Sequence, residues 1–451
     1  MTHLSAKPSP MTPAALVALA LLLLAAHALR RGDWSLCAAL AALPLLLLSR
    51  QGWTRLVVSA VLLLGAAQWL AAGTQFAQVR LALGEPWLRL ALILGSVAAV
   101  SLGCGLWLLG ARARALFPRG AAMELPQAAA FLLTAGLLAL ARGKASVPVL
   151  LADRLLPGSG WLAVLALALY AAWLAGRFTH PDHGPGEHRR LRPRIWALFS
   201  AVFFLQLALG LSGLTELLMT GRLHLPVPAL IAAGPLFRGE GLFMPVLFAS
   251  TVLLVGPAWC SHLCYIGAWD DQCSRARGAA RPLVLSRAWT VGGRLAALAL
   301  TCGAALGLRL SGAPASLAAG LAAAFGLAGV GVMLAASRRA GAMVHCTAFC
   351  PIGLLGNLLG RLTPWRMSIR LQTCTRCGAC ALACRYSALS PEDIASGRPG
   401  LSCTLCGDCV AACPHDSMGY RFPFLSPAAA RAVFLTLVAA LHAVFLGVAR
   451  I

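Results

Sequence analysis

Residues 88–110 read LRLALILGSVAAVSLGCGLWLLG, an apolar run whose only charged side chain is Arg89. An α-helix needs about 20 such residues to cross the hydrocarbon core of a bilayer. Ten further runs have a similar character, and they lie at about 12–29, 35–49, 56–73, 126–141, 160–176, 195–217, 242–259, 288–310, 315–336 and 425–448. The sequence therefore predicts an all-α polytopic membrane protein with about eleven transmembrane helices.

The composition of the chain excludes an ordinary soluble enzyme. Of its 451 residues 59% are hydrophobic and only 11% are charged, whereas a soluble domain is about one quarter charged. The low charge content also argues against nucleic acid as a partner, because a nucleic-acid-binding surface is polar. We expect membrane lipid as the surroundings instead, so the net charge of +23 bears on how the chain is oriented.

The positive charges predict an orientation. If the N-terminus is inside, the arginine-rich loops 177–194 and 275–287 face the same side, which the positive-inside rule makes the cytoplasm. The segment 337–424 follows an even number of spans and is expected on that side too. The sequence thus predicts a multi-pass membrane protein with this segment in the cytoplasm.

Two groups of four cysteines, each spaced C-x2-C-x2-C-x3-C, lie before the last span. A [4Fe–4S] cubane takes three thiolates from such a run, and in the two-cluster arrangement the fourth thiolate comes from the other run. Zinc sites more often use two separated pairs, and disulfides are not expected on a reducing face. The predicted ligand sets are Cys374, Cys377, Cys380 with Cys413, and Cys403, Cys406, Cys409 with Cys384.

These cysteines and Pro414 resemble the bacterial-type two-cluster ferredoxin domain over about residues 370–420. The resemblance implies two [4Fe–4S] clusters in a small α+β domain inserted before the last helix, which we place at 370–422. The sequence departs from the family at Arg385, where a proline usually follows the fourth cysteine of the first run.

A second cysteine pattern occurs twice upstream. Residues 260–267 and 346–353 both read C-x3-C-[YP]-I-G, and each copy follows a pair of spans. Positions i and i+4 of an α-helix share one side, and two spans return both copies to one face. Cys260, Cys264, Cys346 and Cys350 are therefore predicted to hold a third [4Fe–4S] cluster. Interfacial packing, a copper site or a thiol redox site at each pair stay open as alternatives.

The doubled motif followed by a ferredoxin-type segment resembles the NapH/NosR/CcoG group of membrane proteins over about residues 195–425. Residues 346–351 match the group's motif fully, whereas Tyr265 replaces its proline in the first copy. The resemblance implies electron transfer between membrane quinol and a redox partner, sometimes for maturation of a metalloenzyme. It is closest to NapH, because no polar segment is long enough for a large periplasmic domain. We divide the chain into N-terminal helices of unassigned role at 1–176, a NapH-like membrane domain at 177–369, the ferredoxin domain at 370–422 and a last helix at 423–451.

A loop between two spans is the candidate quinol site. It is apolar but broken by proline and glycine, and it is bracketed by Glu216, His224 and Glu240. Quinol oxidation needs an apolar slot with a carboxylate or histidine to accept protons. The alternative is an interfacial loop anchored by snorkelling arginines. Haem is not expected, because His27 and His442 are single histidines at opposite ends of the sequence.

The sequence contains no P-loop and no G-x-G-x-x-G fingerprint in a strand–turn–helix setting. A partner must therefore supply or accept electrons, as for the electron-transfer subunit of a quinol dehydrogenase or oxidoreductase complex. Two hypotheses follow: an iron–sulfur electron-transfer protein, or a redox-linked assembly, maturation or regulatory factor for a metalloenzyme. A cluster-gated transporter is a third, weaker one, because the N-terminal spans contain few polar residues.

Overall fold

A computed structural model describes residues 11–182, 184–218, 225–276 and 282–448. The described chain is mostly helical, and its strands form a single two-stranded sheet. The fold divides into two compact units, Met1–Gly176 and Arg177–Ile451.

The first unit contains the N-terminal helices. They are α1 (Met11–Arg30), α2 (Trp34–Leu47), α3 (Gly52–Ala82), α4 (Leu88–Leu109), α5 (Ala111–Leu116), α6 (Glu124–Lys144), α7 (Leu151–Leu155) and α8 (Gly160–Thr179), whose last three residues belong to the second unit. Helices α1, α3 and α4 pack together around Leu21, Leu62 and Leu108, which are fully buried. This packing gives the unit an apolar core.

A buried ion pair joins the start of α3 to the start of α6. Arg55, which is 1% exposed, donates to both carboxylate oxygens of Glu124 at 2.9 and 3.0 Å and to the carbonyl of Leu108 at 3.1 Å. A buried charge is tolerated only when it is paired and hydrogen-bonded in this way. The sequence alone had not indicated that these two residues meet.

Ten helical segments in the described residues are long and apolar enough to cross a membrane. The expectation of eleven was wrong at 35–49, because that run forms the 14-residue helix α2. At 1.5 Å per residue it is about 21 Å long, less than the roughly 30 Å of the hydrocarbon core. It packs against α1 as the second arm of a helical hairpin.

The second unit combines membrane-type helices with the cysteine-rich segment. Its helices are α9 (Gly184–Leu211), α10 (Leu230–Arg238), α11 (Phe243–Val255), α12 (Tyr265–Arg275), α13 (Arg294–Leu310), α14 (Ala315–Val332), α15 (Arg338–Ala340), α16 (Pro351–Leu359), α17 (Ala379–Ala383), α18 (Pro391–Ala395), α19 (Asp408–Ala412) and α20 (Pro427–Val448). Among its described residues, π-helical turns occur at Trp259–Leu263, Ala288–Gly293, Met333–Ser337 and His345–Phe349.

The cysteine-rich segment is bounded by two short strands. Strand β1 (Arg366–Ile369) pairs antiparallel with β2 (Met418–Arg421), so that Met367 lies opposite Tyr420. Strand β2 also packs against α20. The strands therefore bring the two ends of the segment together directly before the last helix.

Candidate metal centres

The two ferredoxin-type cysteine runs have the same backbone conformation 29 residues apart. Arg376 in the first run and Leu405 at the equivalent position in the second run both have a left-handed backbone conformation. The same is true of Gly378 and Gly407. Each run continues into a five-residue helix, α17 or α19, and the two helices pack against each other. Left-handed residues point successive backbone N–H groups inward, which makes concave sites for anionic groups such as iron–sulfur clusters.

Each run is associated with one cavity. The lining of the cavity that we call proximal includes Cys384, Cys403, Cys406 and Cys409. The structure thus brings the fourth cysteine of the first run to the first three cysteines of the second run.

The lining of the second cavity, which we call distal, includes Cys374, Cys377, Cys380 and Cys413. The exchange of the fourth cysteine is therefore reciprocal. Cys377 is exposed at this cavity, whereas the other seven cysteines of the two runs are buried or half-buried.

The donor chemistry of both cavities fits cubane clusters. Backbone N–H groups donate to sulfur at equivalent positions, from Ala388 to Cys384 Sγ at 3.4 Å and from Ser417 to Cys413 Sγ at 3.3 Å. In the described residues, no three His, Cys, Asp or Glu side chains are placed to hold a single metal ion. A cubane does not require that arrangement, because each thiolate binds a different iron at a different corner.

Burial controls the protonation of the proximal thiols. It raises the pKa of Cys384 and of Cys403 to about 12. At the exposed Cys377, by contrast, a hydrogen bond from the N–H of Ala379 lowers the pKa of the thiol. A thiol must lose its proton to bind a metal, so loading the proximal cavity with iron should release protons.

The sequence pattern predicted that the two cysteines of each C-x3-C pair share one face of an α-helix. The structure places them differently. Cys260 and Cys346 lie in π-helical turns, and Cys264 and Cys350 are the extended residues that precede α12 and α16. The N–H of Gly267 donates to Cys264 Sγ at 3.4 Å. The two sulfurs of a pair are therefore placed by a π-helical turn and a helix start rather than by a shared helical face.

The structure nevertheless brings the four C-x3-C cysteines together. Cys260 and Cys346 each lie within electrostatic range of the other three thiols. Cys260 Sγ would lie 3.5 Å from a Cβ added at Gly356 on α16, the helix that follows the second pair. We call Cys260, Cys264, Cys346 and Cys350 the C-x3-C site.

Two buried charged residues, which the sequence pattern did not indicate, flank the C-x3-C site. Asp270 accepts a hydrogen bond from the N–H of Cys346 at 2.9 Å, and burial raises the pKa of Asp270 to about 6. Arg294 on α13 lies within electrostatic range of three of the four thiols. The signal for Arg294 was a charged residue inside an apolar run, which in a membrane protein marks a functional position.

Direct hydrogen bonds connect the C-x3-C site to the proximal cavity. Tyr386 donates from its hydroxyl to the carbonyl of Cys260 at 3.2 Å, and its ring is buried in a cluster that includes Cys346, Cys384 and Cys406. Ser261 donates to the carbonyl of Thr404 at 2.9 Å. The two sites are thus neighbours in the packed interior of this unit.

A buried charge network fastens the cysteine-rich segment to the helices. Arg192 on α9 contacts Asp408 on α19 at 3.0 Å and Asp271 on α12 at 3.3 Å. Arg275 contacts Asp271 at 2.7 Å and Asp408 at 3.0 Å. Arg385 donates to the carbonyls of Ser274 and Gly341 at 2.7 and 2.8 Å. These two hydrogen bonds hold the end of the first cysteine run against α12 and Gly341.

Several histidines pack against aromatic or polar neighbours. His262, between the first two C-x3-C cysteines, lies 3.3 Å from the ring nitrogen of His188. His27 contacts Trp69, and His442 contacts Phe199.

The residues of the candidate quinol site are described only in part. Glu216 lies exposed in the short helical turn Thr215–Leu217, and Glu240 is exposed just after α10. His224 lies outside the described residues. The loop expected to be broken by proline and glycine contains the nine-residue helix α10, which includes Pro235.

A family model described as a 4Fe-4S binding domain matches residues 237–286 and 322–370. Each matched stretch contains one C-x3-C pair, and the second stretch ends before the first ferredoxin-type cysteine. No curated protein and no solved structure matches the chain. The chain thus combines a 4Fe–4S binding domain with many membrane-type helices.

Proposed function

We propose that this chain is a membrane-bound electron-transfer protein with three [4Fe–4S] clusters, held in the C-x3-C site, the proximal cavity and the distal cavity. The observation that carries the proposal is the contiguity of these twelve cysteines. The four cysteines of the C-x3-C site meet where membrane-type helices end, and hydrogen bonds link this site to the proximal cavity. The proximal and distal cavities are built from the same two cysteine runs, whose helices α17 and α19 pack against each other.

The residues of the chain have separate tasks in this function. The twelve thiolates hold the clusters, each of which stores and releases one electron when bound. Backbone N–H groups of Gly267, Ala388 and Ser417 donate to the sulfurs and compensate negative charge. Tyr386 excludes water between the C-x3-C site and the proximal cavity and fixes their separation. The chemistry belongs to the clusters, while the protein sets their order and surroundings.

The proposed donor is the quinol pool or another membrane donor, and the proposed acceptor is a redox protein that meets the exposed Cys377 side. Glu216, His224 and Glu240 are the proposed proton acceptors for quinol oxidation. In proteoliposomes, a quinol analogue should reduce the clusters, and the double change Glu216→Gln, Glu240→Gln should slow this reduction while dithionite still reduces them. If quinol never reduces clusters that dithionite reduces, another donor serves the protein.

Iron content tests the number of clusters. Purified protein should contain about twelve iron atoms, four for each cluster, with equal acid-labile sulfide. Cys260→Ser combined with Cys346→Ser should lower this to about eight, because only the ferredoxin-type sites remain. A double variant that kept all of the iron would contradict the assignment of the C-x3-C site.

The proposed location is the bacterial inner membrane, with the cysteine-rich segment in the cytoplasm. Of the ten candidate spans one follows that segment, so nine precede it (10 − 1 = 9). With nine spans before it, a cytoplasmic segment requires the N-terminus on the outer face, which revises the expectation that the N-terminus lies inside. Alkaline phosphatase and green fluorescent protein fused after residue 424 should give only fluorescence, and phosphatase activity there would contradict the orientation.

A further inference from the structure

Arg294 is a buried cation at the C-x3-C site with one donor left over. It is 1% exposed and lies in the candidate span Ala288–Leu310. Its Nε donates to the carbonyl of Thr290, and its Nη1 donates to Asn357 Oδ1 at 2.7 Å. Its Nη2 is buried and has no hydrogen-bond partner in the structure. An unsatisfied buried donor on a charged group is costly, so a missing acceptor is the natural explanation.

The surroundings of Arg294 indicate what that acceptor is. Its charge interacts with the thiols of Cys260, Cys346 and Cys350. Gly353 lies in the first turn of α16, the helix that follows Cys350, and a Cβ added there would lie 3.7 Å from Nη1 of Arg294. The residues that hold Arg294 therefore place its guanidinium beside three of the four thiols.

Arg294 is also connected to the proximal cavity. Asn357, which accepts from Nη1 of Arg294, donates from Nδ2 to the carbonyl of Cys403 at 3.1 Å. Both side chains are buried, so their orientation is fixed from two sides.

We propose that Nη2 of Arg294 donates a hydrogen bond to the cluster of the C-x3-C site and raises its reduction potential. This inference rests on the proposed function. A four-thiolate cluster is anionic and gains a further negative charge when it is reduced, and hydrogen bonds to its sulfurs shift the potential. The effect of a fixed cation is large here, because the site is buried and screened little by water.

The test is a redox titration of the full-length protein followed by electron paramagnetic resonance. The C-x3-C cluster is identified as the signal that disappears in the Cys260→Ser, Cys346→Ser variant. With Arg294→Gln, that signal alone should become at least tenfold harder to reduce, which is about 59 mV for one electron. Arg294→Lys, which retains the charge, should recover part of the shift. The control is Arg309→Gln, an exposed arginine at the other end of α13, which should leave all three signals in place.

The outcomes separate this inference from the proposed function. Unchanged potentials in an Arg294→Gln protein with full iron content would overturn the role of Arg294 and leave the three-cluster function standing. Absence of a third cluster from the wild-type protein would overturn the function itself. If Arg294→Gln fails to load, wild-type protein with ¹⁵N-guanidino arginine decides: a nitrogen hyperfine coupling in the C-x3-C cluster signal supports the hydrogen bond, and its absence overturns it.

Discussion

The glycines of the repeated C-x3-C-[YP]-I-G motif illustrate how a single residue positions a metal ligand. A Cβ at Gly353 would lie 2.8 Å from the carbonyl oxygen of Cys346, and one at Gly267 would lie 3.0 Å from that of Cys260. In each copy of the motif, the π-helical turn with the first cysteine therefore packs directly on the helix that follows the second cysteine. Pro351 fits the first position of that helix, where no N–H is needed.

Gly353→Ala should displace this turn. Such overpacking typically costs about 1–3 kcal/mol, and we expect the variant to lose the iron of the C-x3-C site while the ferredoxin-type sites stay loaded. Iron analysis and thermal unfolding measure the two effects. Gly307→Ala on α13 is the matched control, since a Cβ there meets nothing within 4 Å and alanine favours a helix. Equal iron content in the two variants would contradict this role of Gly353.

Still at the scale of residues, the sequence indicated which cysteines lie together, but not which other side chains surround them. The spacing of Cys374–Cys384 and Cys403–Cys413 indicated which thiols meet, because the ligand geometry of a cubane restricts the chain locally. Tyr386 and Arg294 could not be found in this way, because they reach the cysteines through tertiary packing between distant segments. Arg294 stood out only as a charge inside an apolar run.

At the scale of elements, the charge network of Arg192, Asp271, Arg275 and Asp408 joins α9, α12 and α19. The position equivalent to Asp408 in the first cysteine run is Ala379, 29 residues earlier. The loop conformation therefore does not require a carboxylate, and Asp408 is explained by docking. Although burial opposes its ionised form, Arg192 and Arg275 hold the pKa of Asp408 below its usual range.

Asp408→Asn should loosen the cysteine-rich segment from the helices. Removing one partner of a buried ion pair costs about 3–5 kcal/mol, since Arg192 stays buried with less compensation. We expect faster hydrogen exchange in β1 and β2 and slower electron transfer out of the C-x3-C cluster, with the iron content unchanged. Asp416→Asn, at an exposed loop position, serves as the control. Identical exchange in the two variants would show that the network does not dock the segment.

The apolar runs indicated where most of the long helices lie, but not where each helix begins and ends. The apolar run at 35–49 was taken as a span, but α2 ends at Leu47 after 14 residues. The run at 56–73 extends in the structure to Gly52–Ala82, and at its N-terminal end Arg55 stays inside the helix because Glu124 neutralises its charge. A pairing between residues 69 positions apart is not visible in a hydropathy pattern.

At the scale of the whole molecule, the second unit arranges its cysteines from a buried end to an exposed end. The C-x3-C site adjoins the helices, the proximal cavity follows, and the distal cavity includes the exposed Cys377. In the proposed function electrons therefore leave at the distal cavity, since a protein acceptor can approach only an exposed cluster closely. The sequence indicated three thiolate sets, but their order required the folded chain.

Cys377→Ala should interrupt transfer at this last step. Loss of the distal cluster should leave reduction of the other two by the membrane donor intact, because their ligand sets exclude Cys377. Electron delivery to a soluble protein acceptor should fall at least tenfold, equivalent to about 1.4 kcal/mol in the barrier. Stopped-flow spectroscopy separates the two phases, and Cys302→Ala, a cysteine isolated on α13, controls for loss of a thiol. If delivery were unchanged while the distal cluster was missing, the acceptor would have to dock nearer the proximal cavity, and the exposed position of Cys377 would have no part in the electron route.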